Sequence, residues 1–205
     1  FAALRPGGRR DVAVNTAAFV GISIPPYVSA ILFQLLFAVY WSRWFGSTLF
    51  PTSGVYPPGH TGFEPLLMAK HMVLPTIVVA IQIIAVYSRY MRSSLLDVLS
   101  SEYMRTARSK GISERRVLFK HGLRNALIPV VTIAALDVGA IVGGLIITEN
   151  IFSYPGMGMY FLSAFGEGDF PLLMPWMVII VASTLMFNLL ADISYAWLDP
   201  RIRLE

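Results

Sequence analysis

The residues of this 205-residue chain that are able to do chemistry are few, and most are cations. Between positions 108 and 125 the stretch RSKGISERRVLFKHGLRN carries Arg108, Lys110, Arg115, Arg116, Lys120 and Arg124. The three histidines, His60, His71 and His121, stand far apart without ligand spacing, and there is no cysteine to make a thiolate site or a disulfide, so nothing here reads as a metal centre. No His-Glu-x-x-His, Gly-x-Ser-x-Gly or Gly-x-x-x-x-Gly-Lys-Ser/Thr occurs. The chain therefore shows neither a recognisable catalytic constellation nor a phosphate cradle. Two acids lie inside apolar runs, Asp137 well within one and Asp192 near the end of another.

The elements that must position these groups are set by hydropathy. Hydrophobic residues make up 56% of the chain and charged residues 14%, and the mean hydropathy is +0.64, outside ordinary globular usage. The apolar excess falls in four runs, 17–40, 72–91, 127–148 and 176–197, each near the ~20 residues that cross a ~30 Å hydrocarbon core. The predicted fold class is an all-α integral membrane protein, a polytopic helical bundle. Residues 1–205 form one transmembrane domain with a loop at 92–126.

Lys and Arg segregate between alternate loops. Fourteen lie in 1–16, 89–124 and the tail, and two, Arg43 and Lys70, lie in 41–71 and 149–175. Because basic loops stay on the cytoplasmic side, both ends of the sequence and the 92–126 loop are expected there. The charge is thus topological, and nucleic-acid binding is not expected, since the cations are not interleaved with exposed aromatics and two spans flank them.

The basic loop itself reads as two helices. Ser100 and Ser101 precede Glu102 in a first turn, Lys110 sits near the C-terminal end, and Gly111 stands where a left-handed residue stops the helix. Ser113 and Glu114 open a second helix that nothing breaks before Pro129. On it Arg116, Lys120 and Arg124 form a stripe about 60° from Phe119, Leu123 and Leu127, as on a helix at the headgroup boundary. On the first helix Tyr103, Met104 and Ala107 share one small apolar face. Such a face either docks into another protein or rests on the membrane or the neighbouring helix.

The segment EYMRTARSKGISERRVLFKHGLRNALIPVVT resembles the cytoplasmic loop of ABC importer permeases, in the form taken by their peptide/nickel subfamily: Tyr-x-Arg-Thr-Ala-Arg-x-Lys-Gly followed by Arg-Asn-Ala-Leu-Ile-Pro. Relative to the broader permease pattern, Ala107 and Gly111 are kept at the right spacing, while Arg105, Thr106 and Arg124 stand where Glu, Ala and Pro are usual. The resemblance extends to SIPPY (23–27), PTSG (51–54), HMVLP (71–75), RYMRSSLLDVL (89–99), GGLIITENIFSYPGMG (143–158) and NLLADISYAWLDPRIR (188–203), and within the subfamily it is nearest the first-named dipeptide or oligopeptide permease.

The resemblance implies a type I importer permease of six spans, of which two precede the four read here, with FAALRPGGRRD closing the second. It implies a non-enzymatic, multi-pass subunit of a prokaryotic inner membrane. It further implies partners: a second homologous permease, two cytoplasmic ATP-binding subunits or domains that carry ATP and Mg, an extracytoplasmic substrate-binding protein and the surrounding lipid. Glu102, Tyr103, Met104, Arg105, Thr106, Ala107, Arg108, Ser109, Lys110 and Gly111 then become the coupling helix that contacts the ATPase. Peptides, nickel chelates and haem are all cargoes within the subfamily.

Three further readings concern the spans and outer loops. Asp137 lies about ten residues into the third run, ~15 Å deep, where an ionised carboxylate facing lipid costs at least ~2.5 kcal/mol. It either lines the substrate path, favouring a cationic peptide terminus, or makes a structural hydrogen bond; in a proton- or ion-coupled secondary carrier, the competing function, it is the coupling residue. Gly139 and Gly143 form a Gly-x-x-x-Gly beside Gly144, suited to close helix approach. Outer loop 149–175 is apolar yet rich in Gly and Pro, with a short helix expected at 157–165; Glu167 and Asp169 are candidates for docking the binding protein or ordinary solvated charges.

Overall fold

A computed structural model describes residues 6–198, and side chains through residue 194; Arg5, Arg201 and Arg203 of the charge pattern lie outside the described residues. Every regular element among the described residues is helical. In chain order these are α1 (Arg9–Ser23), α2 (Pro26–Phe45), α3 (Pro65–Ser100), α4 (Glu102–Ser109), α5 (Glu114–Ala126), α6 (Ile128–Val142), α7 (Ile146–Ile151), α8 (Met157–Glu167) and α9 (Phe170–Leu198). Three are long and apolar enough to cross a membrane: Pro26–Phe45, Pro65–Ser100 and Phe170–Ser194. The pair α5 and α6, bent by 41°, makes a fourth if taken as one broken span.

The boundaries differ from the apolar runs for identifiable reasons. The run at 17–40 is two helices, because Pro25 and Pro26 end α1 and Pro26 opens α2. The break leaves the Ile24 carbonyl without a helical partner, and Gln82 Nε2 donates to it at 3.0 Å. α3 is much longer than the run at 72–91 and extends past the apolar segment to Ser100. The run at 127–148 stops at Val142, where Gly143 and a positive-φ Gly144 (φ 105°) turn the chain into α7. The short helix of the outer loop is present as α8, two residues longer than expected.

The chain groups into two compact units, to both of which α1, α3, α6 and α9 contribute. The unit made of Phe1–Val20, Ile84–Ala140 and Ala182–Glu205 holds the basic loop. Its core has two parts: Leu95 and Ala126 with Met91, Val98, Leu99 and Leu118 around them, and Met104, Ala107 and Val117 with Val98, Leu99 and Ile112. The unit made of Gly21–Ile83 and Ile141–Val181 is centred on Ala30, Leu74, Val78 and Phe152. There Gln34 Nε2 donates to the carbonyls of Thr52 (3.0 Å) and Ile151 (3.1 Å), which ties α2 to the following loop and to α7.

Candidate functional site

α4 is an eight-residue helix, and its ends follow the sequence signals. Ser101 is the extended N-cap residue (φ −71°, ψ 151°), although its hydroxyl turns back to the Val98 carbonyl and does not cap α4. Glu102 occupies the first turn, where an anion suits the helix dipole. At the other end Lys110 closes the helix and Gly111 adopts φ +70°, the left-handed conformation that lets the chain reverse. Across the turn Arg108 grips Glu114, with Nη2 at 3.0 Å and Nε at 3.2 and 3.3 Å from the carboxylate oxygens. Those hydrogen bonds hold the Arg108 guanidinium still more firmly in its charged form.

The apolar face of α4 is turned inward. Met104 is fully buried and Ala107 nearly so, against Val98, Leu99, Ile112 and Val117 of the same chain. Of the two readings of that face, the neighbouring helices take it, which corrects the inclusion of Met104 and Ala107 among surface contacts: they fasten α4 to its own unit. Tyr103, the third member, is partly exposed and accepts a hydrogen bond from Asn125 Nδ2 at 3.0 Å. Apart from Tyr103, what α4 offers outward is polar: Glu102, Arg105, Thr106, Arg108, Ser109, Lys110 and then Gly111 are exposed. Glu102 and Arg105 pair at 2.9 Å on that surface, both largely in solvent.

α5 supplies the seat for Met104, by a device that the sequence does not announce. Residues Val117–Leu123 form a π-helical segment within it. In an α-helix, residues five apart lie about 140° from one another; the wider π turn brings Val117 and Gly122 onto one buried face. Arg116, Lys120 and Arg124 stay exposed, as the stripe predicts. The helix breaks at Leu127, two residues ahead of the expected Pro129, because the proline ring crowds the carbonyl four residues back and supplies no N–H of its own.

The remaining candidates do not gather around α4. Asp137 is partly buried, and its Oδ2 accepts a hydrogen bond from Tyr87 Oη at 2.8 Å, so a partner within its own unit satisfies one of its oxygens. Gly139 makes the close approach expected of it, to Thr184 of α9, whereas Gly143 lies past the end of α6. Asp169 caps α9: its Oδ1 accepts from Leu172 N–H at 3.2 Å. Glu167 is exposed at the end of α8.

One group escaped the sequence reading. Glu149 Oε1 accepts from Leu145 N–H (2.8 Å) and Oε2 from Met159 N–H (2.9 Å), which clasps the turn before α7 to the start of α8. Its carboxylate lies where a side chain on Gly156 would be, and Gly144 and Gly158 meet backbone to backbone beside it. The clustered glycines of GGLIITENIFSYPGMG were the available signal. Glu149, Leu145, Tyr154, Pro75, Thr76 and Val79 are among the residues lining a largely apolar cavity of about 340 Å³.

A family model described as the binding-protein-dependent transport system inner membrane component matches residues 1–204. The chain belongs to that family. Among curated proteins, this inner membrane component is 40% identical over 200 residues to the oligopeptide transport system permease protein AppB of Bacillus subtilis, covering 98% of the chain. It is 39% identical to the dipeptide transport system permease protein DppB of the same organism over the whole chain, and 35% identical to the protein of that name from Escherichia coli over 98% of the chain. The chain spans 61%, 61% and 64% of the length of these three relatives. As a multi-pass inner membrane component it matches the helical architecture described above.

Proposed function

We propose that this inner membrane component forms the translocation pathway of an ATP-driven peptide importer and receives the force of ATP hydrolysis through α4. The observation that carries the reading is the pairing of a fully buried Met104 with an exposed polar surface from Glu102 to Gly111. A short helix bolted to its own unit by one face and bare on the other moves as a rigid body when a partner pushes it. Names of relatives support the cargo class, since those named above are permeases of oligopeptide and dipeptide systems.

In this reading a second permease completes the pathway. Two ATP-binding subunits or domains carry ATP and Mg at the basic loop, and a binding protein delivers peptide to the outer loop, where Glu167 is exposed. Asp137 serves helix packing through Tyr87.

The test uses Gly111 in the full transporter. Nothing lies within 4 Å of a Cβ added there, so a substitution acts through the backbone angle alone. A β-branched residue at φ +70° costs about 1–2 kcal/mol, which is relieved by re-aiming α4. Gly111→Val is expected to insert normally, hydrolyse ATP and lose most peptide uptake. Wild-type uptake by that variant, or uptake that ignores vanadate and collapses with the proton gradient, would overturn the assignment in favour of an ion-coupled carrier.

A further inference from the structure

The most densely hydrogen-bonded carboxylate in the unit that carries α4 lies away from that helix. Asp11, in the first turn of α1, is 2% exposed, and its carboxylate accepts four hydrogen bonds: Arg92 Nε on Oδ1 and Nη2 on Oδ2, each at 2.8 Å, Gly7 N–H at 3.0 Å and Asn15 Nδ2 at 3.0 Å. The same two helices meet again one turn away on α3 and about two turns away on α1, where the Arg89 guanidinium carbon lies 4.4 Å from the centre of the Phe19 ring. Neither contact belongs to the coupling surface or to the candidate path.

An ion pair is a poor way to gain stability here. Taking the Asp11 carboxylate and much of the Arg92 side chain out of water costs about as much as their attraction returns, and an apolar pair of equal volume would hold two helices at least as well. What a bidentate fork supplies is direction: two parallel bonds fix the distance and the rotation of one helix on the other. Arg92 stands eight residues before the end of α3, about 12 Å along its axis. Between them Leu95 packs with Ala126, and Val98 and Leu99 pack against the cluster of Met104 and Ala107 of α4 with Val117. The contacts are therefore unbroken from Asp11 through the last two turns of α3 to the seat of α4.

We infer that the Asp11–Arg92 fork is the fixed point against which α4 works: it locks the end of α3 to α1, so that displacement of α4 turns the span and is not absorbed as local slippage. Asp11 and Arg92 are positioning residues for coupling. The inference rests on the proposed role of α4.

The test compares ATP hydrolysed per peptide taken up, in proteoliposomes holding the full transporter with its ATPase and receptor partners. Arg92→Lys keeps the charge and loses the fork. It is expected to assemble in wild-type yield and to raise the ratio about fivefold, the low end of typical coupling energies. The sequence contains no cysteine, so Asp11→Cys with Arg92→Cys gives a pair that a short dithiol-reactive linker joins selectively. Before linking, that variant is expected to hydrolyse ATP wastefully, and after linking to recover a ratio near wild type. A wild-type ratio in Arg92→Lys, or no recovery on linking, would refute the fixed point. Uptake by the unmodified transporter without any hydrolysis would refute the role of α4 instead.

Discussion

Met104 of α4 lies against the bare face of Gly122 in α5: a methyl group placed on Gly122 would come to 3.3 Å from Met104 Cε and 3.6 Å from Leu118 Cδ1. The missing side chain of one helix is thus the socket for the buried side chain of the other, and it is the π segment that turns Gly122 toward α4.

Gly122→Ala and Gly122→Leu are expected to part company. The thioether of Met104 can yield by a few tenths of an ångström, and alanine favours a helix by up to about 1 kcal/mol over glycine, so Gly122→Ala should leave uptake near wild type. Leucine fills the socket and expels Met104. Peptide uptake by Gly122→Leu should fall at least about tenfold, as a 1.4 kcal/mol or larger overpacking cost implies, and an equal response to both changes would show that Met104 does not seat there.

At Gly139 the obstacle is backbone, and it cannot yield. A Cβ there meets Thr184 Cα at 2.9 Å, so Gly139→Ala must push α6 and α9 apart, at about 1–3 kcal/mol. Thermal unfolding in detergent should register a clear drop in Tm, against no drop for Gly166→Ala, where nothing lies within 4 Å. Equal melting of the two variants would contradict the close approach.

Asp11 sets a pH dependence of definite sign. The Arg92 hydrogen bonds, and after them the Gly7 N–H, hold its carboxyl well below the usual carboxylate range. A depressed folded-state value means that its stabilisation is complete above the unfolded value of about 3.9 and is lost only as pH falls toward the lower folded one. The Tm difference between wild type and Asp11→Asn should therefore stay constant from about pH 5 to pH 8 and shrink below about pH 4. A difference that already narrows between pH 8 and pH 5 would mean that the fork is not closed in solution.

Local signals were the legible ones. Glu102 and Gly111 bracket α4 because a first-turn acid and a left-handed stop are properties of single residues, and α8 was legible through the glycines and prolines on either side of it. Hydropathy located the spans but not their ends, since it counts composition and is blind to a Pro-Pro break such as Pro25–Pro26. The partner of Asp11 is 81 residues away, and those of Glu149 are backbone amides, which no side-chain pattern marks. The π segment also escaped, because its sequence, Val117–Leu123, differs in no obvious way from an α-helical one.

That segment has a bearing on how such a chain is altered over generations. A turn of π-helix holds roughly one amino acid more than a turn of α-helix, so loss of a single residue within Val117–Leu123 is taken up by a return to α-helix, and everything after it keeps nearly the same orientation. The orientation that α6 presents to its neighbours is thereby buffered upstream, in the loop that carries the cations, and a membrane rod whose own letters have not changed keeps its address when that loop sheds one residue.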